Sequence, residues 1–240
     1  MNKEDFINDL IGLANQIDVK IEQEEAEKFY NYMNLLLEWN NKINLTAIVE
    51  PKEIILKHFI DSITINNTIK ESTDILDIGT GAGFPGIPLK MINPNKKFTL
   101  VDSLNKRIIF LNEVCDSLKL KSIQCLHGRA EELAMNKLYR QKYDAVTSRA
   151  VARLAILLEY MLPFVKVGGK CICMKGPNVE EELKEASKAI ELLGGKLDRV
   201  ENIVLPNSDI ERNIVIVQKI KDTPDKYPRK AGVPAKQPII

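Results

Sequence analysis

The stretch Asp74-Ile-Leu-Asp-Ile-Gly-Thr-Gly-Ala-Gly-Phe-Pro-Gly86 decides the fold of this 240-residue chain. A short apolar run leads into three glycines at alternate positions, and a helix is expected to begin near Gly86. Glycine permits the tight turn and, because it lacks Cβ, lets a ligand lie against the backbone. The stretch therefore predicts a strand, a loop and a helix that bind a nucleotide cofactor. Because Gly81-x-Gly-x-x-Gly86 also fits the dinucleotide fingerprint, the glycines alone leave both NAD and S-adenosylmethionine open.

Strand-like segments continue after this stretch and alternate with helical ones. The predicted strands are residues 74–79, 97–102, 122–126, 143–147, 170–174, 196–205 and 212–218. Their alternation with helices such as 105–118 indicates an α/β protein with a parallel sheet covered on both faces. Only turn residues join the last two strands, so these two are expected to pair antiparallel at one edge of the sheet.

The chain is expected to have three parts. Residues 1–70 show helical periodicity, with a third helix starting at Pro51, and predict an N-terminal helical subdomain. Residues 71–220 form the predicted cofactor-binding domain. Residues 221–240 are rich in Pro, Lys and Arg with little periodicity, and predict an extended basic tail. The alternative is a tail that packs on the sheet edge, with Tyr227 and the prolines covering apolar surface.

The net charge of +1 conceals a segregation of charge along the chain. Residues 1–70 hold seven lysines against twelve acidic residues, whereas residues 219–240 hold six basic residues against two aspartates. The basic carboxyl end indicates either a polyanionic partner or a tail that its charges keep solvated.

The composition excludes several classes of protein. A hydrophobic share of 45% and a charged share of 28% are typical of a globular protein with a solvated surface. No apolar run approaches the ~20 residues that span a bilayer, and no signal peptide is recognisable. The chain is therefore expected to be cytoplasmic, with no membrane partner. The four cysteines lack the spacing of zinc ligands, so no metal site is expected.

Two carboxylates favour S-adenosylmethionine as the cofactor. Asp102 ends the second predicted strand about 20 residues after the glycine loop, where a carboxylate accepts hydrogen bonds from both ribose hydroxyls. Asp77 precedes the first glycine and completes the Asp-x-Gly-x-Gly-x-Gly form typical of methyltransferases. We therefore expect a methyltransferase. The alternatives are a helix cap for Asp102 and a turn-stabilising carboxylate for Asp77.

The absence of two known motifs reduces the range of possible methyl acceptors. Methyltransferases of exocyclic base amines share an (Asn/Asp)-Pro-Pro-aromatic loop after the fourth strand, but residues 147–153 read Thr-Ser-Arg-Ala-Val-Ala-Arg. Pyrimidine C5 methylation needs a nucleophilic cysteine, and all four cysteines fall in predicted helix or strand. Acceptors that are already nucleophilic remain, such as a ring nitrogen, a small molecule or a protein. Arg149 and Arg153 favour an anionic substrate, with a surface ion pair as the alternative for Arg153.

Eight segments spread over most of the chain carry a resemblance to a known family. They are Trp39-Asn-Asn-Lys-Ile-Asn-Leu-Thr46, His58-Phe-Ile-Asp-Ser62, Asp77-Ile-Gly-Thr-Gly-Ala-Gly-Phe-Pro-Gly-Ile-Pro-Leu89, Asp102-Ser-Leu-Asn-Lys-Arg107, Gly128-Arg-Ala-Glu131, Ser148-Arg-Ala-Val-Ala152, Lys175-Gly176 and Tyr227-Pro-Arg-Lys-Ala-Gly-Val-Pro234. In these segments the chain resembles the bacterial RsmG (GidB) small-subunit rRNA guanine-N7 methyltransferases. Its one noted departure, Thr80 where Ser is commoner, is conservative.

The resemblance implies a fold, an activity and a partner. The fold is the Rossmann-like class I methyltransferase fold, a mostly parallel seven-stranded sheet with an antiparallel last strand and, here, an N-terminal helical extension. The activity is S-adenosylmethionine-dependent methylation of N7 of a guanine in 16S ribosomal RNA. The partner is small-subunit ribosomal RNA or the assembling small subunit.

Carried over residue by residue, the resemblance also implies site residues. Its cofactor contacts fall on Gly79, Phe84, Ala130, Glu131 and Arg149. Gly79 would admit the methionine end, Phe84 would wall the cofactor, and Glu131 would accept from the adenine amino group. The alternatives are core packing for Phe84 and helix N-terminal charge for Glu131. The cations expected to hold RNA phosphates are Lys106, Arg107, Arg149, Lys175, Arg229 and Lys230.

No catalytic residue is assigned, because guanine N7 carries a lone pair and no proton. Catalysis is expected to rest on proximity and orientation. A hydrogen-bond acceptor would stabilise the cationic product, and Asp61 and Asn44-Leu-Thr46 are candidates for it. His58 either contacts the base or is structural. Two other functions stay open: a nicotinamide oxidoreductase, and a non-catalytic RNA-binding protein that has kept the fold.

Overall fold

The computed structural model describes residues 1–149 and 151–240. Ala150, which belongs to the segment Ser148-Arg-Ala-Val-Ala152, lies outside the described residues. The strands are β1 (Asp74–Ile78), β2 (Lys97–Asp102), β3 (Ile123–His127), β4 (Tyr143–Arg149), β5 (Val165–Lys175), β6 (Gly195–Val204) and β7 (Glu211–Lys219). The α-helices are α1 (Lys3–Asn15), α2 (Gln23–Asn40), α3 (Pro51–Ile54), α4 (Asp61–Ile63), α5 (Gly86–Ile92), α6 (Asn105–Ser117), α7 (Ala130–Leu133), α8 (Leu154–Met161), α9 (Glu180–Leu192) and α10 (Val233–Lys236).

The strands form one seven-stranded sheet in the order β3-β2-β1-β4-β5-β7-β6. Strands β1 to β5 pair parallel, and β7 lies antiparallel between β5 and β6. The predicted sheet, its parallel core and its antiparallel last strand are therefore confirmed. Strand β5 begins at Val165 rather than at residue 170, because the pairing continues past an irregularity in β4 between Tyr143 and Ala145. The glycines at 168 and 169 hide this extension in the sequence.

The N-terminal helices share one hydrophobic core with the first half of the sheet domain. Phe59 packs edge-on against Phe29 with ring centroids 5.1 Å apart, and its ring centroid lies 6.1 Å from that of Phe84. The buried hydroxyl of Tyr32, on α2, donates to the carbonyl oxygen of Ala82 in the glycine loop. The chain therefore changes from helices alone to alternating strands and helices near residue 70. The hydrophobic core includes residues from both sides of this point.

A π-helical stretch, Ile55–Ile60, joins α3 to α4 and makes one continuous helical segment. As predicted, the segment starts at Pro51, where the missing N–H costs nothing. A π-helical turn contains an extra residue and often occurs at functional sites. Here it carries His58, which is buried between the helices and the glycine loop.

The carboxyl-terminal residues pack against α7, α8 and the loop after α7, which corrects the prediction of an extended tail. Tyr227 is buried, and Arg140 donates to the carbonyl oxygens of Thr223 and Tyr227 at 2.8 Å each. Arg229 pairs with Glu159, whose side chain is fully buried. This segment has little periodicity of its own. It is held in place by Tyr227, by the prolines that cover apolar surface, and by the ion pair of Arg229 with Glu159.

Within residues 1–149 and 151–240, no helix is both long and apolar enough to cross a membrane. In the same residues, no three His, Cys, Asp or Glu side chains meet in a group that could hold a metal ion.

Candidate cofactor and acceptor site

The loop between β1 and α5 turns on glycines with backbone conformations that other residues rarely adopt. Gly79 and Gly83 have φ values of +67° and +102°. A Cβ at Gly79 would lie 2.5 Å from Cγ2 of Val151, and one at Gly83 would lie 2.7 Å from the Tyr32 hydroxyl. The loop therefore needs glycine both for its conformation and for its close packing.

The buried carboxylate of Asp77 stabilises this loop by hydrogen bonds. Its carboxylate accepts hydrogen bonds from the Thr80 hydroxyl at 2.6 Å, the Gly86 N–H at 3.1 Å and the Thr147 hydroxyl at 3.2 Å. Burial raises the pKa of Asp77 to about 6, and these three hydrogen bonds oppose the rise. Its contacts match the turn-stabilising alternative considered for this residue.

Asp102 lies at the end of β2, buried beneath the same loop. Its Oδ2 accepts from the Gly81 N–H at 2.9 Å, and its Oδ1 accepts from the Leu104 N–H at 2.9 Å. Arg107 also donates to Oδ2, at 3.1 Å. The carboxylate thus faces the cavity with a fixed orientation, and it caps the backbone that leads into α6.

Two cavities meet at the glycine loop. The larger cavity has a volume of about 400 Å³, and its wall includes Thr46, His58, Phe84 and Arg149. The smaller cavity has a volume of about 180 Å³ and lies over the ends of β1, β2 and β3. Four residues line both cavities: Gly79, Asp102, Ser103 and Val151. The arrangement suits an elongated ligand that passes over the glycine loop.

The smaller cavity contains Ala130 and Glu131, two of the expected cofactor contacts. Both are buried at the start of α7. Oε1 of Glu131 accepts from the Gly232 N–H at 3.0 Å, so the carboxyl-terminal segment orients this carboxylate. Tyr160, on α8, also lines the cavity. The chemistry of this pocket, a carboxylate beside an aromatic ring, suits a flat heterocycle with an exocyclic amine.

Phe84 and Arg149, the other expected cofactor contacts, lie together in the wall of the larger cavity. The His58 ring stacks on Phe84 with centroids 4.5 Å apart and an interplanar angle of 17°. The Arg149 guanidinium carbon lies 4.9 Å from the Phe84 ring centroid. The guanidinium also donates to Oδ2 of Asp61 at 2.9 Å. Phe84 therefore belongs both to the core and to the cavity wall.

His58 is neutral near physiological pH. Burial, together with the neighbouring charge of Arg149, lowers its pKa to about 4. Its Nδ1 lies 3.3 Å from Nη2 of Arg149, and its Nε2 lies 2.8 Å from the Thr46 hydroxyl oxygen. An uncharged imidazole of this kind can donate and accept one hydrogen bond each.

Each oxygen of the Asp61 carboxylate accepts a hydrogen bond from an arginine. Its Oδ1 accepts from Nε of Arg212 at 3.0 Å, while Oδ2 accepts from Arg149. Arg212 lies on β7, far away in sequence. Asp61 therefore positions two arginines, and its expected contact with the methylated base stays a prediction.

The six expected RNA-binding cations have different surroundings. Lys106 and Lys230 are exposed, and the described residues provide neither with an ion pair. Arg107 pairs with Asp102 at the edge of the larger cavity. Lys175 pairs with Glu182 at 2.8 Å, and Arg229 pairs with Glu159 at 2.6 Å. Arg153, the other basic residue considered for the substrate, pairs with Glu185 on the surface.

Four residues of the site were not singled out from the sequence: Ser103, Val151, Tyr160 and Arg212. Val151 packs on Gly79 and Ser103 follows Asp102, so both line the two cavities. Ser103 and Val151 lie within two of the segments that carry the family resemblance, and Ser103 also stands beside a predicted ligand at a strand end. No local pattern marks Tyr160 or Arg212.

The family model described as rRNA small subunit methyltransferase G, GidB, matches residues 25–215. The chain is 52% identical over 237 residues to the ribosomal RNA small subunit methyltransferase G of Clostridium botulinum (strain Loch Maree / Type A3), covering 98% of this chain and 99% of that protein. It is 50% identical over 228 residues to the protein of the same name from Alkaliphilus oremlandii (strain OhILAs), covering 94% and 95%.

Solved structures share the fold at low sequence identity. The O-methyltransferase from Bacillus cereus in complex with SAH superposes with a TM-score of 0.56 and 15% identity, covering 78% of this chain and 91% of that one. The precorrin-6y C5,15-methyltransferase from Geobacter metallireducens GS-15 has a TM-score of 0.51 and 13% identity, covering 66% and 87%. Both are similar to this chain in the arrangement of the sheet and its helices.

Proposed function

Because the chain belongs to the GidB family of small-subunit rRNA methyltransferases, we propose that it transfers the methyl group of S-adenosylmethionine to N7 of a guanine in 16S ribosomal RNA. The observation that carries the proposal is the pair of cavities that meet at Gly79, beside Asp102. One cavity suits the nucleoside of the cofactor, and the other suits its methionine end and the acceptor base.

Different residues would contact different parts of the cofactor. Asp102 would hold the ribose hydroxyls, since its carboxylate is fixed at the shared wall of the two cavities. Ala130 and Glu131 would contact the adenine in the smaller cavity. Gly79 would let the backbone approach the methionine end, which would lie near Phe84 and Arg149 in the larger cavity.

The reaction needs no general base. S-adenosylmethionine would supply the methyl group, and the N7 lone pair would displace it from the sulfonium, leaving a neutral thioether and a positively charged base. Positioning the two reactants in line can supply about 7–11 kcal/mol of the barrier reduction. The protein therefore has to align the base and to leave the lone pair of N7 unprotonated and free of hydrogen bonds.

Ribosomal RNA approaches from the side of the larger cavity in this proposal. Lys106 and Lys230 are exposed and contribute to phosphate binding through counterion release. Arg107 lines the cavity edge and lies close to the base that enters. Lys175 and Arg229 already neutralise protein carboxylates, which favours a structural contribution for these two.

The test is methyl transfer to defined RNA. Naked 16S rRNA and purified small subunits from a strain that lacks this gene are incubated with the protein and isotopically labelled S-adenosylmethionine, and the nucleosides are analysed by mass spectrometry. We expect labelled N7-methylguanosine, and no incorporation into RNA from the parent strain, which is already modified. A label on another atom or base, or none with either substrate, would refute the proposal.

Thermal stability distinguishes the nicotinamide alternative. S-adenosylhomocysteine is expected to raise the melting temperature through binding to the folded state, and NAD is expected to leave it unchanged. The opposite result would indicate an oxidoreductase that uses the same glycine loop.

A further inference from the structure

The hydroxyl of Thr46 has an unusual set of partners in the wall of the larger cavity. Its oxygen lies 2.8 Å from Nε2 of His58 and accepts from the Ile48 N–H at 3.0 Å. The Thr46 backbone N–H donates to Oδ1 of Asn40 at 2.9 Å, which fixes the segment. Thr46 is only partly buried, and it lines the same cavity as Gly79 and Arg149.

The direction of the hydrogen bond between His58 and Thr46 follows from Arg149. A guanidinium has donors only, so the Nδ1 atom that Nη2 of Arg149 approaches at 3.3 Å must be the acceptor nitrogen of the ring. In the neutral imidazole the proton then resides on Nε2. Nε2 therefore donates to the Thr46 hydroxyl oxygen.

The Thr46 oxygen consequently accepts two hydrogen bonds, one from His58 and one from Ile48. A hydroxyl has two acceptor positions and one proton, so only the proton is left to bond a ligand. Among the described residues, no acceptor for this proton is found beyond the His58 ring nitrogen, which cannot serve. Thr46 thus presents a donor, and no acceptor, to whatever enters the cavity.

We propose that the Thr46 hydroxyl recognises O6 of the acceptor guanine and so selects guanine over adenine. The inference rests on the proposed function and names the residue that makes the base specific. Guanine presents N7 and O6 as neighbouring acceptors on one edge, whereas adenine presents N7 beside an amino donor. A hydroxyl limited to donation matches the first pattern and leaves two donors facing each other in the second.

This role differs from a purely local one. Thr46 also stabilises its own turn through the Ile48 N–H, as serine and threonine often do. The local role would affect methylation of any base equally. Recognition of O6 would instead make the effect of Thr46 depend on the group at position 6 of the purine.

The experiment combines a change in the enzyme with a change in the base. The methylated position is first located in the RNA, and guanine there is then replaced with 2-aminopurine, which keeps N7 and the 2-amino group but has hydrogen at position 6. Wild-type protein, Thr46→Val and Thr46→Ser are each measured for kcat/KM on both RNAs and for affinity for S-adenosylhomocysteine.

We expect wild type and Thr46→Ser to prefer guanine over 2-aminopurine by about 10- to 100-fold, the range for one hydrogen bond to a base edge. Thr46→Val should lose a similar factor on guanine and should no longer discriminate between the two bases. Its affinity for S-adenosylhomocysteine should stay within about twofold of wild type, because a single neutral hydroxyl outside the cofactor contacts is removed.

Two results would overturn the inference. If wild type methylates 2-aminopurine as fast as guanine, O6 is not recognised. This result comes from the wild-type protein alone and does not depend on whether a variant folds. If Thr46→Val loses activity but keeps the same preference for guanine, Thr46 acts only on the turn and on His58. A wild-type protein that transfers no methyl group to guanine would instead contradict the proposed function itself.

Discussion

Asp61 and Arg149 form an ion pair that joins the helical part of the chain to the sheet, with Oδ2 and Nη1 2.9 Å apart and side-chain exposures of 3% and 15%. Arg212 of β7 contacts the other oxygen of the same carboxylate. Arg149 in turn lies against His58 and Phe84 in the larger cavity. The pair therefore fixes the position of the cavity wall as well as the packing of the helices.

Removing Asp61 leaves two buried or half-buried arginines without their carboxylate. We expect Asp61→Ala to lower the free energy of unfolding by about 3–5 kcal/mol, the usual effect of breaking a buried pair from one side. Denaturant unfolding measures this. The control is Arg153→Ala, which breaks the exposed pair with Glu185 and should leave stability nearly unchanged. Equal effects of the two substitutions would show that the Asp61 pairing contributes little.

Asp102 is the predicted ribose ligand. Asp102→Ala should weaken the binding of S-adenosylmethionine by about 1.5–3 kcal/mol, the range for hydrogen bonds to a charged group. Because Asp102 also accepts from Gly81 and Leu104, a lower melting temperature is expected in the same variant. Calorimetric titration gives the affinity, and Asp116→Ala, an exposed change on α6, is the control. Unaltered affinity in Asp102→Ala would remove this residue from the site.

The strands and the glycine loop are predictable because their signals are local. Apolar runs, turn residues and glycine spacing are sufficient to place β1, the turn into α5 and the antiparallel pair of β6 and β7. The position of Asp102 at a strand end likewise marks it as a candidate ligand.

What the sequence left unpredicted depends on contacts between distant residues. Arg212 lies 151 residues after its partner Asp61, and Val151 reaches Gly79 only through the pairing of β4 with β1. The ion pair of Arg107 with Asp102 was likewise not anticipated, and the expected contact of Arg107 with RNA phosphates stays a prediction. Packing of the carboxyl end through Tyr227 and the prolines was only an alternative to an extended tail, because this segment has no helical or strand periodicity.

The carboxyl-terminal segment contains two basic neighbours with opposite surroundings. Arg229 neutralises the fully buried Glu159, whereas Lys230 is exposed. We expect Arg229→Ala to lower the free energy of unfolding by about 3–5 kcal/mol because it leaves a buried charge unpaired. Lys230→Ala should leave stability unchanged and make the log–log salt dependence of RNA binding shallower by ~0.7–0.9, if Lys230 holds one phosphate.

Each variant serves as the control for the other in denaturant unfolding and in RNA binding at several salt concentrations. An unchanged salt slope in Lys230→Ala would exclude a phosphate contact there. A stable Arg229→Ala protein with a shallower salt slope would show that the guanidinium serves RNA rather than Glu159.

His58 makes the stability of the protein depend on pH, because its surroundings lower its pKa on folding. Its pKa falls from about 6.5 in the unfolded chain to about 4 in the folded protein, because burial and Arg149 disfavour the charged ring. Between these values the unfolded state binds more protons, so the free energy of unfolding rises with pH. The contribution of His58 to the free energy of unfolding is complete above pH 6.5 and is lost as the pH falls towards 4. The loss amounts to about 3 kcal/mol.

Comparison of wild type with His58→Gln isolates this contribution, because Gln does not titrate. We expect the stability of wild type relative to the variant to fall between pH 6.5 and 4, measured by denaturant unfolding at each pH. Asp77, whose pKa burial raises to about 6, has the opposite sign in this range but is present in both proteins and cancels. His127→Gln, at an exposed position, is the control for the loss of an imidazole. A pH-independent difference between wild type and His58→Gln would mean that the pKa of His58 is the same in the folded and unfolded states, and would contradict the lowering of this pKa by burial.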